Sequence, residues 1–224
     1  MLTFQKIENL DCVIDYPNDY DKNKTYPVIM FLHGAGTRDT DLNTLSRSLF
    51  FTKAQEFTDN SVITVAPFCS GKNTWFDIFE TLKRFTTTIY HQPFTDKKRF
   101  YLMGNSMGGY GTWQLAMSMP EYFSAIVPIC GGGMYWNAER LKNVPVWAFH
   151  GEKDPVVLVR ESEVMVSAVN RFGGNAKLTL YPNCQHNCWE NVYNTKEVFD
   201  WLLSNVNENA KTITNAFADV KKFG

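Results

Sequence analysis

The sequence predicts an α/β fold in which a mostly parallel sheet of about eight strands is flanked by helices on both faces. Short β-rich apolar runs alternate with longer helical patterns from residue 26 onward. Such alternation implies parallel strands joined by right-handed crossovers. Several runs are apolar at every position, which is typical of strands covered on both faces. The length of 224 residues suits one domain, so residues 1–224 are expected to form a single unit.

Each element follows from a local pattern. Two short strands are expected first, at 3–7 and 12–16. Parallel strands are predicted at 28–32, 62–66, 99–103, 125–129, 146–149 and 177–181. Helices, recognised by apolar residues at helical spacing, are predicted at 42–57, 75–90, 107–119, 159–172 and 191–205. In the tail 206–224, Ile213, Phe217 and Val220 have helical spacing, so the tail is expected to be a docked last helix or a mobile end.

Composition and charge are those of an ordinary globular protein. The chain is 44% hydrophobic and 20% charged, and its net charge of −1 gives no basis for binding nucleic acid or an anionic membrane. No apolar run reaches the length of a membrane span, and the charged residues 1–16 do not resemble a signal peptide. A cytoplasmic protein is therefore expected. Five cysteines are an odd number, which excludes complete disulfide pairing within one chain.

The residues around Ser106 give the strongest indication of catalysis. Gly104, Ser106 and Gly108 form a Gly-x-Ser-x-Gly pattern between a predicted strand and a predicted helix. In that setting the serine occupies a tight, strained turn, and its near neighbours must lack side chains so that strand and helix can pass closely. The helix N-terminus places backbone N–H groups beside the serine oxygen. The alternative interpretation is an ordinary glycine-rich turn.

A serine hydroxyl needs a base, and the chain has only four histidines. His33 opens a glycine-containing loop, His150 ends an apolar strand where a structural hydrogen bond is expected, and His91 ends a surface helix. His186 lies in a loop after a predicted strand, where it can reach over a nucleophile. His186 is therefore the candidate base, and the alternative is a surface histidine.

The orienting acid is expected after a strand between serine and histidine. Asp154 follows the strand that ends at His150, and Pro155 favours a fixed loop position for it. Glu152 is the second option, and either residue could be a turn carboxylate. The order Ser106, Asp154, His186 is that of α/β-hydrolases and differs from the chymotrypsin and subtilisin orders.

Five segments carry a resemblance to a known family: FLHGAG at 31–36, GNSMGGYGTW at 104–113, AIVPICGGG at 125–133, VPVWAFHG at 144–151 and DPVV at 154–157. With them the chain resembles α/β-hydrolases of the prolyl-oligopeptidase-like or dienelactone-hydrolase-like esterase group, including the phospholipase/carboxylesterase branch. The resemblance runs from about residue 26 to about residue 203 and implies Ser106 as nucleophile, Asp154 as acid and His186 as base.

The sequence departs from this family around the histidine. Gln185 stands where a glycine usually precedes it, and Cys184 and Cys188 flank it. Cys-x-His-x-Cys offers too few ligands for a structural zinc site and has no second cysteine pair nearby. No metal and no other cofactor is expected.

The same layout predicts the oxyanion hole. Backbone N–H groups must meet the negative oxygen that forms during attack. Met107, directly after the nucleophile, is expected to supply one N–H. Ala35, between two glycines in the loop after the first parallel strand, is expected to supply the other.

The expected substrate is a small-molecule carboxylic ester. Only fourteen residues separate Cys130 from Pro145, so no large cap domain is predicted and long-chain lipids are disfavoured. Trp75, Trp136 and Trp189 fall in or beside loops at the expected site, which favours short-chain, aryl or sugar esters. Two alternatives remain, a serine peptidase of the prolyl-oligopeptidase type and a non-catalytic binding protein on the same fold.

Overall fold

The computed structural model describes residues 1–210, and these contain an eight-stranded, mostly parallel sheet. The strands are β1 Leu2–Ile7, β2 Leu10–Asp15, β3 Tyr26–Leu32, β4 Ile63–Pro67, β5 Thr95–Asn105, β6 Ala125–Ile129, β7 Val146–Gly151 and β8 Ala176–Tyr181. Their spatial order is β1-β2-β4-β3-β5-β6-β7-β8. β1 and β2 form an antiparallel hairpin that joins β4 antiparallel, and all later pairs are parallel. The predicted fold class is confirmed.

The two faces of the sheet bury separate apolar clusters. On β3, Val28, Met30 and Leu32 belong to one cluster, whereas Ile29 and Phe31 belong to the other. Side chains alternate between faces along a strand, so an apolar residue is needed at every position when both faces are covered. This explains why the parallel strands appear in the sequence as continuous apolar runs.

Helices cover both faces. The α-helices are α1 Leu42–Ser46, α2 Leu49–Phe57, α3 Phe79–Tyr90, α4 Met107–Ser118, α5 Arg160–Arg171, α6 Trp189–Tyr193 and α7 Lys196–Ser204. Three short 3₁₀ helices occupy Ala35–Thr37, Pro120–Tyr122 and Tyr135–Leu141. Buried residues of α3, α4 and α5 pack into the first cluster, and those of α2, α6 and α7 pack into the second.

Two predicted helices are each divided in two, and one begins later than predicted. The helix predicted at 42–57 is interrupted at Ser48, whose side chain accepts a hydrogen bond from the Phe50 N–H and so starts α2. The helix predicted at 191–205 is interrupted at Thr195, which has an extended backbone. The helix predicted from residue 75 begins at Phe79, because Thr74 and Asp77 form a hydrogen-bonded turn before it.

The parallel strands bring the candidate residues to one edge of the sheet. β5 ends immediately before Ser106, β7 ends three residues before Asp154, and β8 ends five residues before His186. β3 ends before the loop that contains Ala35. Carboxyl ends of neighbouring parallel strands lie at the same edge, so residues distant in sequence can meet there.

The connection from β6 to β7 holds no α-helix and only the 3₁₀ helix Tyr135–Leu141, which agrees with the predicted lack of a large cap. Within residues 1–210, no helix is both long and apolar enough to cross a membrane. The question of a docked or mobile tail concerns residues 211–224, which lie outside the described residues.

Candidate active site

The turn at Ser106 has the strained geometry that its sequence pattern predicts. Ser106 has φ 56° and ψ −119°, a conformation with positive φ that few residues other than glycine adopt. A Cβ atom at Gly104 would lie 2.4 Å from the Gly108 carbonyl oxygen, and one at Gly108 would lie 1.9 Å from the Leu32 carbonyl oxygen. Both positions therefore require glycine, because strand β5, helix α4 and strand β3 touch there.

Ser106, His186 and Asp154 form a continuous hydrogen-bonded chain. Ser106 Oγ lies 2.7 Å from Nε2 of His186, and Nδ1 of the same imidazole lies 2.7 Å from Oδ2 of Asp154. The Asp154 side chain is fully buried, and that of His186 keeps 19% exposure. The structure thus brings together three side chains that are separated by up to 80 positions in the sequence.

Asp154 is held as a carboxylate by its surroundings. Burial alone would raise its pKa. Hydrogen bonds from His186 and from the backbone N–H groups of Val157 and Val156 outweigh burial, so the pKa of Asp154 is lowered. Both backbone bonds reach Oδ1 at 2.9 Å, which leaves Oδ2 for the histidine. Glu152, the other candidate acid, is exposed to solvent.

A second histidine also faces Asp154. His150 is fully buried, and its Nε2 lies 3.3 Å from Asp154 Oδ2 and 2.9 Å from the Val157 carbonyl oxygen. Both of these oxygens accept hydrogen bonds, so Nε2 carries a proton. The other ring nitrogen, Nδ1, lies 2.7 Å from Ser162 Oγ, which also contacts the Gly131 carbonyl oxygen. The sequence indicated a structural hydrogen bond at His150 but not its contact with Asp154.

The loop that contains Ala35 is fixed from behind by His33. Nε2 of His33 accepts from the Cys69 N–H at 3.0 Å, so Nδ1 carries the proton and donates to the Gly34 carbonyl oxygen at 2.8 Å. Burial lowers the pKa of His33 to about 4, which keeps the ring neutral. Trp75 donates its Nε1–H to the His33 carbonyl oxygen.

The two N–H groups predicted for the oxyanion hole belong to Ala35 and Met107. Within the described residues, neither the Ala35 N–H nor the Met107 N–H has a backbone acceptor. Met107 is the first residue of α4, where an N–H has no partner inside the helix. Ala35 lines the same cavity as Ser106.

An open cavity of about 710 Å³ lies over Ser106 and His186. Its apolar walls include Phe31, Leu45 and Trp189. The Trp189 ring stands perpendicular to the His186 ring, with ring centroids 5.3 Å apart. This volume is within the range of pockets for small organic ligands.

The three predicted substrate-binding tryptophans have three different positions. Trp189 lines the cavity. Trp75 has no exposed surface, so the expectation that it contacts a substrate is corrected: it donates to the His33 carbonyl oxygen and supports the loop that contains Ala35 instead. Trp136 is 66% exposed but lines a different cavity, on the side of α5.

Other groups near the triad could not be assigned from the sequence. Asn105 is buried, and its Oδ1 accepts from Tyr193 Oη at 3.1 Å, which ties the end of β5 to α6. Cys130 brings its thiol within 4.8 Å of the ligand atoms of Asp154 and His186. Burial raises the pKa of that thiol, which favours its neutral form over the thiolate that a metal would require. Asn105 stands inside the serine motif, but the motif alone gives no information on its partner.

The flanking cysteines differ in exposure. Cys188 directly precedes α6 and is fully buried in the second apolar cluster, and Cys184 is half-buried. Neither lies in the group of Cys130, Asp154 and His186 that could present donors to one ion within the described residues.

Comparison with known proteins gives the family. A model of the dienelactone hydrolase family matches residues 49–223. The curated relative dipeptidyl-peptidase 5 of Porphyromonas gingivalis is 21% identical over 221 residues, covering 76% of this chain but 32% of that protein. The chain therefore spans about a third of that relative's length.

Solved structures agree in fold. A thermostable esterase superposes with a TM-score of 0.78 at 28% identity, covering 92% of this chain and 63% of its own. Est1E from Butyrivibrio proteoclasticus superposes with a TM-score of 0.68 at 16% identity, and the match covers 90% of this chain and 97% of Est1E. A feruloyl esterase module from Clostridium thermocellum superposes with a TM-score of 0.70 at 17% identity, and the match covers 90% of this chain and 86% of the module. The last two show a shared α/β-hydrolase fold only. Since the family match covers well over half of the sequence and the fold agrees with it, this chain belongs to the dienelactone hydrolase family.

Proposed function

We propose that this protein is a serine hydrolase that cleaves carboxylic esters through an acyl-enzyme on Ser106. The observation that carries the proposal is the chain of two 2.7 Å hydrogen bonds from Ser106 through His186 to Asp154. A serine with positive φ at the start of a helix, bonded to a partly exposed imidazole, has the geometry of an activated nucleophile.

The reaction has two halves. Ser106 Oγ attacks the ester carbonyl carbon while His186 Nε2 accepts the serine proton, and a tetrahedral intermediate forms. The intermediate collapses as the C–O bond breaks, and the departing alcohol takes the proton from His186. Water then attacks the acyl carbon, His186 removes its proton, and the acid leaves as Ser106 recovers its hydrogen.

Asp154 and two backbone N–H groups support these steps. The carboxylate accepts the Nδ1–H of His186, which directs Nε2 toward Ser106 and stabilises the imidazolium that forms. Its lowered pKa keeps it ionised at neutral pH. In this proposal the N–H groups of Ala35 and Met107 stabilise the negative oxygen of the intermediate.

The substrate class follows from the open cavity and its aromatic wall. With no α-helix between β6 and β7, the site has no covered tunnel for a long lipid chain in the part of the chain that the structure describes. Trp189 offers an aromatic ring beside His186, which suits the flat or small groups of short-chain, aryl or sugar esters. The similarity to a thermostable esterase at 28% identity favours esters as well.

A serine peptidase is the second candidate, and one observation favours it. The curated relative is a dipeptidyl-peptidase, although this chain covers 32% of it. The same triad can cleave an amide, so the two functions differ in how the rest of the site holds the substrate.

The test combines labelling with a substrate panel. A fluorophosphonate probe should label the wild type and lose its target in Ser106→Ala. Ser48→Ala, which removes another serine of the same cavity, should keep labelling. Turnover of p-nitrophenyl acetate without turnover of aminoacyl anilides supports the esterase. Anilide turnover supports the peptidase, and labelling at a serine other than Ser106 overturns the assignment.

A further inference from the structure

A second cavity lies away from Ser106, and the proposed reaction does not use it. Its volume is about 670 Å³, and it lies between α5 and the 3₁₀ helix Tyr135–Leu141. Tyr135 and Trp136 form one wall, 50% and 66% exposed, and Phe172 at one end is 41% exposed. Large aromatic side chains with this much free surface are typical of binding surfaces.

Charged side chains of α5 form the opposite wall. Arg160 and Arg171 stand eleven positions apart on this helix and both line the cavity, with Glu163 between them. Eleven residues make three helical turns, so the two arginines project from the same face of α5, with backbone positions about 16 Å apart along its axis. None of these three side chains forms an ion pair within residues 1–210.

These two walls suit one class of ligand. Aromatic faces stack on sugar rings, an unpaired carboxylate accepts hydrogen bonds from sugar hydroxyls, and guanidinium groups bind carboxylates in a bidentate manner. Two guanidinium groups against one carboxylate favour an anionic ligand. Their separation favours a ligand longer than one ring. We propose that the Trp136–Arg171 cleft, the surface formed by Tyr135, Trp136, Arg160, Glu163, Arg171 and Phe172, binds an acidic oligosaccharide.

The cleft is connected to the candidate active site by a short apolar segment. Val156 lines the cavity over Ser106, and Arg160 lines the cleft. They stand four positions apart, which is at most about 14 Å of chain. Val156 and Leu158 on this segment are 68% and 63% exposed. A single substrate chain can therefore lie in the cleft and present an ester to Ser106, a link that rests on the proposed function.

The binding test uses the full chain and defined sugars, and it does not depend on catalysis. Trigalacturonate, titrated by calorimetry, should bind the wild type more tightly than neutral xylotriose. Trp136→Ala should weaken trigalacturonate binding about tenfold, as expected for loss of one stacking contact. Arg171→Gln should also weaken it and reduce its dependence on salt. Phe4→Ala, which removes an exposed aromatic of β1 at the far end of the sheet, should bind like the wild type.

Three results overturn the proposal: no binding of trigalacturonate, equal binding of xylotriose, or wild-type affinity in Trp136→Ala. Sedimentation that shows a dimer in the wild type and a monomer in Trp136→Ala also overturns it, because a second copy of the chain then covers the cleft. Circular dichroism should show an unchanged fold in Trp136→Ala, since this side chain is mostly exposed.

A kinetic comparison tests the link to Ser106. For O-acetylated trigalacturonate, Trp136→Ala should raise KM about tenfold, while kcat/KM for p-nitrophenyl acetate stays unchanged. If neither ester is cleaved by the wild type, the proposed function fails. The calorimetric result then still shows whether the cleft binds an acidic oligosaccharide. If p-nitrophenyl acetate is cleaved but trigalacturonate does not bind, the cleft proposal alone fails.

Discussion

Two histidines approach the same carboxylate, and their surroundings differ. His186 presents Nδ1 to Asp154 Oδ2 at 2.7 Å, and His150 presents Nε2 to the same oxygen at 3.3 Å. The His186 side chain keeps 19% exposure, whereas that of His150 has none. The second nitrogen of His186 meets Ser106, and the second nitrogen of His150 meets Ser162.

These different surroundings suit the two histidines to different tasks: His186 to proton transfer, and His150 to holding Asp154 in place. A base must exchange its proton with substrate and water, so it needs an open side, which His186 has. Both nitrogens of His150 are committed to buried partners, and a satisfied buried network of this kind rigidifies its surroundings. We therefore expect His186 to act in the chemistry and His150 to position Asp154.

The largest expected effect on kcat comes from replacing His186, the partly exposed histidine. His186→Ala should lower kcat by about a million-fold, because triad members act as a unit and the loss of one removes the activation of Ser106. Ester hydrolysis followed by absorbance measures it. His91→Ala, at the end of α3, is the matched control and should keep activity. Wild-type activity in His186→Ala would contradict the assignment.

The next effect is at the shared carboxylate. Asp154→Asn should lower kcat by about ten-thousand-fold while the protein stays folded, because an amide can donate to His186 and stabilise the wrong tautomer. Glu152→Gln changes an exposed carboxylate two residues away and should have little effect. A larger loss in Glu152→Gln than in Asp154→Asn would move the acid to Glu152.

Replacing the buried histidine, His150, should lower kcat by a smaller factor. His150→Leu deletes a hydrogen bond to a charged group, so kcat should fall by about tenfold to a hundredfold, the equivalent of about 1.5–3 kcal/mol. KM should not change, since His150 does not line the cavity over Ser106. His150→Gln retains a donor and should recover part of the loss. If both variants match the wild type in kcat and in thermal stability, His150 does not position Asp154.

The last expected effect is on stability and not on catalysis, at His33. An unfolded chain protonates this histidine near its ordinary pKa of 6.5, while the folded protein keeps it neutral down to about pH 4. Between these values the unfolded state binds more protons, so stability should fall on acidification, by about 3 kcal/mol from this residue. Urea unfolding of wild type and His33→Gln at pH 7 and pH 4.5 measures it. The stability difference between the two proteins should shrink at the lower pH, and a constant difference would contradict this origin.

Much of the fold could be predicted because the strands are apolar throughout. β6 was predicted at its observed bounds, and most other strands were predicted to within two residues. β5 begins four residues earlier than predicted. The prediction missed residues 95–98 because they are polar and most of them are not fully buried, so they do not form an apolar run. Local capping at Ser48 divided one predicted helix, a feature that hydrophobic spacing does not reveal.

The candidate triad could be predicted from residue types and order, because the order of strands places their ends together. The direction in which a loop side chain points could not be predicted from the sequence. Trp75 was expected to face a substrate and instead points inward to the His33 carbonyl oxygen. His150 and Asp154 are only four positions apart, yet their contact depends on the turn between them, which the sequence does not specify.

The most direct test of the central claim is the identity of the acylated residue. The wild type is mixed with p-nitrophenyl acetate, quenched in acid during turnover, digested and analysed by mass spectrometry. We predict one acetyl group on the peptide that contains Ser106, and none in Ser106→Ala. An acetyl group on Cys130, whose thiol also lies within 4.8 Å of a His186 ring nitrogen, or turnover with no acylated residue, would contradict the account.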